Sequence, residues 1–534
     1  MVTKRSKTSP SKQTSTTSAP EPALSDSLLS ASAESAKFLV LLQVASRLLT
    51  FSVNQLLLRY LSPTLLGVSV QLELLTTSIL YFSRESLRNA LQRQATAADS
   101  RVVTNLALLT LPLGLVFSVL LGTGYLWGRE GGEGIGYWKV SVALFVIATL
   151  LELAAEPAFA VAQMRMRVKV RAAAESAAAM ARCALTCGVT VWAAGQGREL
   201  GALPFAIGQI GYGGVLLLVY TVRIGREVKW GKIQQTKEHY YAGYFSQQLS
   251  HLAATMWLQS SIKHVLTQGD SLLVAWLTTL QEQGVYALAN NYGSLVARML
   301  FQPLEESSRT LFSKLLPAQP DTALRVMKTL LKLYLLLSVF FISLGPPFAP
   351  ALLQLVAGRK WAGSAASQVL QAFCYYIPLL AVNGVTESFV QAVATPVQLR
   401  KQSAAMFAFS LGFAAAGVVF VRTLEMGATG LVWANAVNML LRIVWSGAFI
   451  RAYFKERGVD LASVDVLPSV MLVVVGAAIA TVVRGMGSLP PVESMGLVQL
   501  VITGASAGGA LLLACVIAER RFLKECWDMI KAGQ

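Results

Sequence analysis

Apolar segments close to the ~20 residues needed to cross a bilayer recur from about residue 36 to about residue 518. Lipid offers no water to satisfy backbone N–H and C=O groups, so continuous segments of this kind cross it as helices. The pattern reads as about fourteen spans, starting near residues 36, 66, 103, 138, 170, 202, 244, 285, 323, 364, 402, 428, 467 and 497. A shorter apolar stretch, 348–357, reads as a partial or re-entrant span. With 54% hydrophobic and 14% charged residues, the chain is not the string of soluble domains that 534 residues would otherwise imply.

Two of these segments look like one unit used twice. Gly67-Val68 opens the first and Glu85-Ser86-Leu87-Arg88 closes it; Gly284-Val285 and Glu306-Ser307-Ser308-Arg309 do the same in the middle of the chain. The expected fold is therefore all-α and polytopic, with two six-helix lobes and a C-terminal helix pair. Residues 36–222 form the N-lobe, 223–243 a basic linker, 244–450 the C-lobe and 451–518 the pair. Tails occupy 1–35 and 519–534, the first of them disordered because it is rich in Ser, Thr, Pro and Lys. An even number of spans per lobe relates the repeats by an axis along the membrane normal, an arrangement found in transporters.

Charge on the connections supports this order. Lys and Arg cluster after every second span, as in Arg84, Arg88, Arg93 and Arg101, then Arg165, Arg167, Lys169 and Arg171, then Arg223, Arg226, Lys229 and Lys232. Basic short loops favour the cytoplasmic side, which places both termini there. The same distribution accounts for the net charge of +17 through orientation and contact with anionic membrane lipids rather than nucleic acid, since no loop is long enough to fold a reader domain.

Ionisable residues inside spans are costly and mark cavities, partner helices or sites. They include Arg47, Glu152, Glu156, Arg182, Lys263, His264, Asp270, Arg298, Glu305, Glu306, Arg309, Glu387 and Arg442. Arg298, Glu305 and Arg309 fall at intervals of seven and four, which places them on one helical face that could line a hydrophilic cavity. A guanidinium grips a diphosphate through a planar fork, so arginines are the candidates for an anionic headgroup: Arg47, Arg59, Arg84, Arg88, Arg298, Arg309 and Arg442, with Glu306 beside them. The plainer readings are that Arg84, Arg88 and Arg309 snorkel to the boundary, that Glu85 pairs locally with Arg88, that Glu156 before Pro157 serves a bend, and that His264 is packed.

Enzyme chemistry finds no footing. There is no phosphate-binding loop, His-Glu-x-x-His pair or nucleophile elbow. Neither a cofactor nor a metal site is expected, and Cys183, Cys187, Cys374, Cys515 and Cys526 have no metal-ligand spacing or disulfide pattern.

Longer motifs carry a resemblance. Leu42-Gln43 through Arg47-Leu48-Leu49-Thr50-Phe51, then Arg59-Tyr60-Leu61, then Arg84-Glu85 with Arg88, are similar to the opening of the eukaryotic Rft family. Gln259-Ser260, Leu266 to Asp270, Gly284 to Leu288, Asn290 to Arg298, Phe301-Gln302-Pro303 and Glu305 to Arg309 resemble its central block, with further matches at Glu152 to Pro157 and Asn383 to Glu387. The resemblance implies the multidrug, oligosaccharidyl-lipid and polysaccharide flippase superfamily and an endoplasmic-reticulum membrane. It also implies translocation of the five-mannose dolichyl-diphosphate oligosaccharide for N-glycosylation. By position it marks Arg47, Arg59, Arg84, Arg88, Arg298 and Glu306 as functional. The alternative is a non-transporting chaperone or scaffold that presents the same lipid to proteins of that pathway.

Overall fold

The computed structural model describes residues 52–92, 100–127, 134–233, 240–316, 319–458, 466–485 and 497–532. The tail 1–35 and most of the first span, Arg47 included, lie outside them, as do the side chains of Lys263, Asp270 and Arg298.

From the second onward, each apolar segment forms a helix within a few residues of its expected start, while the expected first start near 36 lies outside the described residues. The first, α1, covers 52–60. Helix α2 (63–92) consists of Pro63–Leu80, a π-helical turn Tyr81–Glu85 and Ser86–Gln92. Then come α3 (Ser100–Leu108 and Thr110–Trp127), α4 (Trp138–Ala154 and Glu156–Met164), α5 (Val168–Gly195) and α6 (Leu203–Ile224). A short hairpin, β1 (Tyr240–Tyr241) paired antiparallel with β2 (Phe245–Ser246), straddles the end of the linker. Beyond it are α7 (Gln247–Leu277) and α8 (280–315), the latter broken by a second π turn, Ala297–Phe301. Helices α9 (Pro320–Ala357), α10 (Ala366–Val393), α11 (Pro396–Gly417 with a π turn Val418–Thr423) and α12 (Gly427–Lys455) follow. Last are α13 (Val470–Gly485), α14 (Leu497–Ala518) and an amphipathic α15 (Arg520–Ala532).

Capping fixes several of these starts. Ser62 accepts from Leu65 N ahead of Pro63, and Thr279 with Glu282, like Thr395 with Gln398, forms a reciprocal capping box. Side chains thus satisfy orphan N–H groups at the helix entrances, which permits links of only a few residues between consecutive helices.

Among the described residues, ten helices are long and apolar enough to cross a membrane. Of the other expected spans, α1 begins outside the described region, α7 and α8 are more polar, and α13 is shorter. The stretch 348–357 is neither a partial nor a re-entrant span. It is the end of α9, a continuous helix of 38 residues that runs through Pro346, Pro347 and Pro350. Each proline removes a backbone hydrogen bond, but Ala349, Leu353 and Ala357 pack into a core with Phe373 and Trp361 that holds the helix together.

The first lobe is built around α2, α4, α5 and α6, and the second around α8, α9, α10 and α12. Helices α13 and α14 lie against α9, where Leu336, Leu472 and Leu511 share a small core. Glu519 accepts from Ser469 N at 2.6 Å and pairs with Lys332 at 2.9 Å, fastening the pair to α9.

The two glycine-valine pairs meet each other. At Gly67 an added Cβ would fall 1.8 Å from the Leu280 carbonyl oxygen, and at Gly284 1.8 Å from that of Pro63. Only glycine permits such a backbone approach, and the reciprocal partners are what a local two-fold axis through the α2–α8 crossing produces. Val68 and Val285 are buried beside it, and Gln71 Nε2 donates to Gln283 Oε1 at 2.5 Å.

Helix α7 touches both lobes. Leu249 and Ala253 pack with Leu87, Ala90, Val102 and Leu106, and Trp257 Nε1 donates to Phe82 O at 2.9 Å. Its other end, at Leu277, packs with Val421 and Leu431 of the second lobe. Between these anchors His264 is buried, stacked on Tyr81 with centroids 4.1 Å apart, which is the packed role expected of it.

Candidate functional site: three polar clusters within an apolar bundle

The first cluster is a closed clasp inside the N-lobe. Arg84 Nη1 donates to Glu152 Oε1 at 2.7 Å and to Glu156 Oε1 at 3.2 Å. Arg88 Nε donates to Glu156 Oε2 at 2.9 Å, its Nη2 reaches the other oxygen, and its guanidinium lies 3.9 Å from the centroid of Phe159. Glu156 is only 3% exposed. Both carboxylates come from the α4 break at Ala155, where Pro157 lacks an N–H to continue the ladder.

This geometry corrects three of the plainer sequence readings. Arg84 and Arg88 do not snorkel freely. Glu85 does not pair with Arg88 but accepts from Asn89 at 3.4 Å. Glu156, beyond marking a bend, is the shared acceptor of the clasp. Arg88 turns instead to α4, where Glu156 offers it both carboxylate oxygens.

The second cluster occupies the equivalent place in the C-lobe and is open. A cavity of about 380 Å³ between α8 and α10 is lined by Glu305, Glu306, Arg309, Asn383, Glu387 and Gln391, among others. Glu387 Oε2 accepts from Arg442 Nη2 at 2.6 Å and from Asn383 Nδ2 at 3.1 Å. The Glu305 carboxylate lies so close over Gly384 that a Cβ there would overlap it. Glu305, Glu306 and Arg309 all reach this cavity, whereas Arg298 lies within the π turn Ala297–Phe301 and its side chain is outside the described residues. The regular 3.6-residue winding on which a face shared by Arg298, Glu305 and Arg309 rests is interrupted by this turn. The Arg442–Glu387 pair is mostly buried, so Arg442→Ala and Glu387→Ala are expected to be non-additive. A double-mutant cycle read by thermal unfolding in detergent should give a coupling of roughly 0.5–3 kcal/mol.

The third cluster lies between the lobes, beside the glycine crossing. One cavity, of about 300 Å³, is lined by polar groups of Asn54, Glu73, Arg182, Thr186, Gln209 and Asn291. Another, of about 440 Å³, meets Glu73 from the other side and is lined by Gln71, Thr77, Gln283, Tyr286, Asn290 and Asn435. Arg182 Nη2 pairs with Glu73 Oε1 at 3.3 Å and Nη1 donates to Gln209 Oε1 at 3.3 Å. Glu73 escaped the sequence reading, although a single carboxylate within the apolar run 63–80 was the signal for it. Arg182 was noted as an ionisable residue inside a span but not chosen.

Arg59 is exposed and donates to Leu355 O at 3.4 Å, near the end of α9, where unpaired carbonyls gather. Next to it Trp361 Nε1 donates to Leu58 O at 2.9 Å, so the end of α1 is tied to the second lobe.

Two helical lobes that enclose polar cavities within an apolar bundle define a polytopic helical membrane protein. The fold agrees with that of the lipid II flippase MurJ in an inward closed conformation (TM-score 0.60, 12% identity, 91% of this chain and 99% of that one). It also agrees with an inward-facing multidrug resistance MATE family transporter of the MOP superfamily (TM-score 0.52, 14% identity, 76% and 95%).

The chain matches the Rft protein family over residues 31–529 and belongs to it. Its relatives include the Man(5)GlcNAc(2)-PP-dolichol translocation protein RFT1 of Yarrowia lipolytica, 34% identical over 88% of this chain and 77% of that one. The protein of the same name from Xenopus tropicalis is 31% identical, over 84% and 87%. These relatives are translocation proteins rather than enzymes.

Proposed function

We propose that the protein carries a dolichyl-diphosphate-linked oligosaccharide, the five-mannose intermediate, from the cytosolic to the lumenal leaflet of the endoplasmic reticulum for N-glycosylation. The headgroup passes between the lobes while the polyprenyl chain remains in lipid. The observation that carries this reading is the polar inter-lobe lining, in which exposed Asn54, Asn290 and Asn291 and half-buried Asn435 present side-chain amides suited to sugar hydroxyls. The names of the relatives support the same cargo.

On this reading the end of the bundle that bears the basic loops faces the cytosol, with both termini. The lobes rock about the α2–α8 crossing so that the cavity is exposed to one leaflet and then the other. Arg298, on α8 beyond Asn291, keeps its proposed role at the headgroup, with Arg47.

The test uses purified full-length protein in vesicles that contain the oligosaccharide lipid in one leaflet. Transfer to the other leaflet should be faster than in protein-free vesicles of the same composition. Equal rates would overturn the transport reading, and retained binding without transfer would instead make the protein a scaffold for this lipid.

A further inference from the structure

The ion pairs of this bundle differ sharply in how open they are. In the N-lobe clasp, Arg84 and Glu152 are 18% and 6% exposed at 2.7 Å. Arg182 and Glu73, also within apolar spans, are 44% and 58% exposed at 3.3 Å. An ion pair so accessible within a span faces open space rather than packed side chains. Here that space is the pair of inter-lobe cavities, since Glu73 lines both and Arg182 one.

From this geometry we infer that Arg182 is the phosphate contact of the inter-lobe cavity, and that Glu73 is its resting counter-ion, displaced when a lipid-borne diphosphate enters. The inference deepens the proposed function and rests on it. A guanidinium has five N–H donors in a planar fork. Arg182 uses one on Glu73 and one on Gln209, so donors remain for an anion. A diphosphate offers paired oxygens that match the fork bidentately, whereas Glu73 makes a single long contact. Half-exposed pairs of this kind contribute little and exchange readily. The displaced carboxylate belongs to α2, the helix that crosses α8 at Gly67. Occupancy of the cavity thus acts directly on an element of the lobe interface.

Binding of a polyprenyl diphosphate to the purified full chain in lipid nanodiscs tests this, with the corresponding polyprenol and inorganic pyrophosphate as comparison ligands. Arg182→Gln should weaken diphosphate binding roughly tenfold, as loss of a charge-assisted hydrogen bond does. Glu73→Gln should tighten it, because it removes a competing anion. In the Arg182→Gln background, Glu73→Gln should no longer do so. Arg182→Lys, which keeps the charge but loses the fork, should fall between wild type and Arg182→Gln, and serves if the glutamine variant does not fold.

If wild type binds the diphosphate and neither position changes the affinity, the exchange is refuted while the proposed function stands. If wild type binds the diphosphate no better than the polyprenol, both fail. Pyrophosphate binding as tight as that of the lipid would overturn a lipid source for the phosphate.

Discussion

Gly284→Ala is expected to lower the melting temperature of the detergent-solubilised protein markedly and to abolish its function in cells, and Gly67→Ala should do the same. In an ordinary helix the change would be favourable by about 1 kcal/mol, because alanine is the better helix former. At this crossing the new methyl group would meet a main-chain carbonyl oxygen at 1.8 Å, and a carbonyl cannot swing aside as a side chain can. Overpacking of a tight contact costs about 1–3 kcal/mol and sometimes more, which outweighs the propensity gain. Gly188 and Gly447 provide the control, since nothing lies within 4 Å of a Cβ at either position. Gly447→Ala should melt at or above the wild-type temperature. If Gly284→Ala matched it, the close approach of α2 and α8 would be wrong.

Glu156→Ala should be the most damaging single change in the N-lobe, at about 3–5 kcal/mol, the usual cost of leaving buried cationic partners without their anion. Arg88 would lose both its hydrogen bonds to that carboxylate, and Arg84 would keep only Glu152. Glu156→Gln should be milder because it retains an acceptor. Replacing Glu156 and Arg88 together by methionine should recover most of the stability, since removing both members of a buried pair is often close to neutral. Unfolding midpoints of the four proteins decide the matter. A double replacement as unstable as Glu156→Ala would show that the clasp is not a self-contained pair.

Much of the architecture could be read from residue order because hydrophobicity alone fixes which segments span. The segment starts at 138, 428 and 497 correspond closely to α4, α12 and α14. The repeated Gly-Val pair could be seen as well, although its role as a mutual contact could not. Other features have no local signature. A π turn such as Ala297–Phe301, which contains Arg298, leaves no mark on a 3.6-residue hydrophobic period, so the spacing of Arg298 and Glu305 does not reveal it. Arg88 finds its partner 68 residues away on α4, beyond what i,i+3 and i,i+4 reasoning can reach. The stretch 348–357 reads as a separate partial or re-entrant span because the core of Ala349, Leu353 and Trp361 that joins it to α9 exists only in three dimensions. Glu73 and Arg182 lie 109 positions apart, on separate helices, and only the folded bundle makes them neighbours.

Helix α7 is fixed near Trp257 to one lobe and near Leu277 to the other, and between these points a Cβ added at Gly269 would meet nothing within 4 Å. Any tilt of one lobe against its counterpart must be absorbed as curvature of this single rod. Under the proposed rocking of the lobes, its bending stiffness contributes to the energy gap between the two arrangements, and a substitution at Gly269 that touches neither cavity is expected to alter how fast they interconvert.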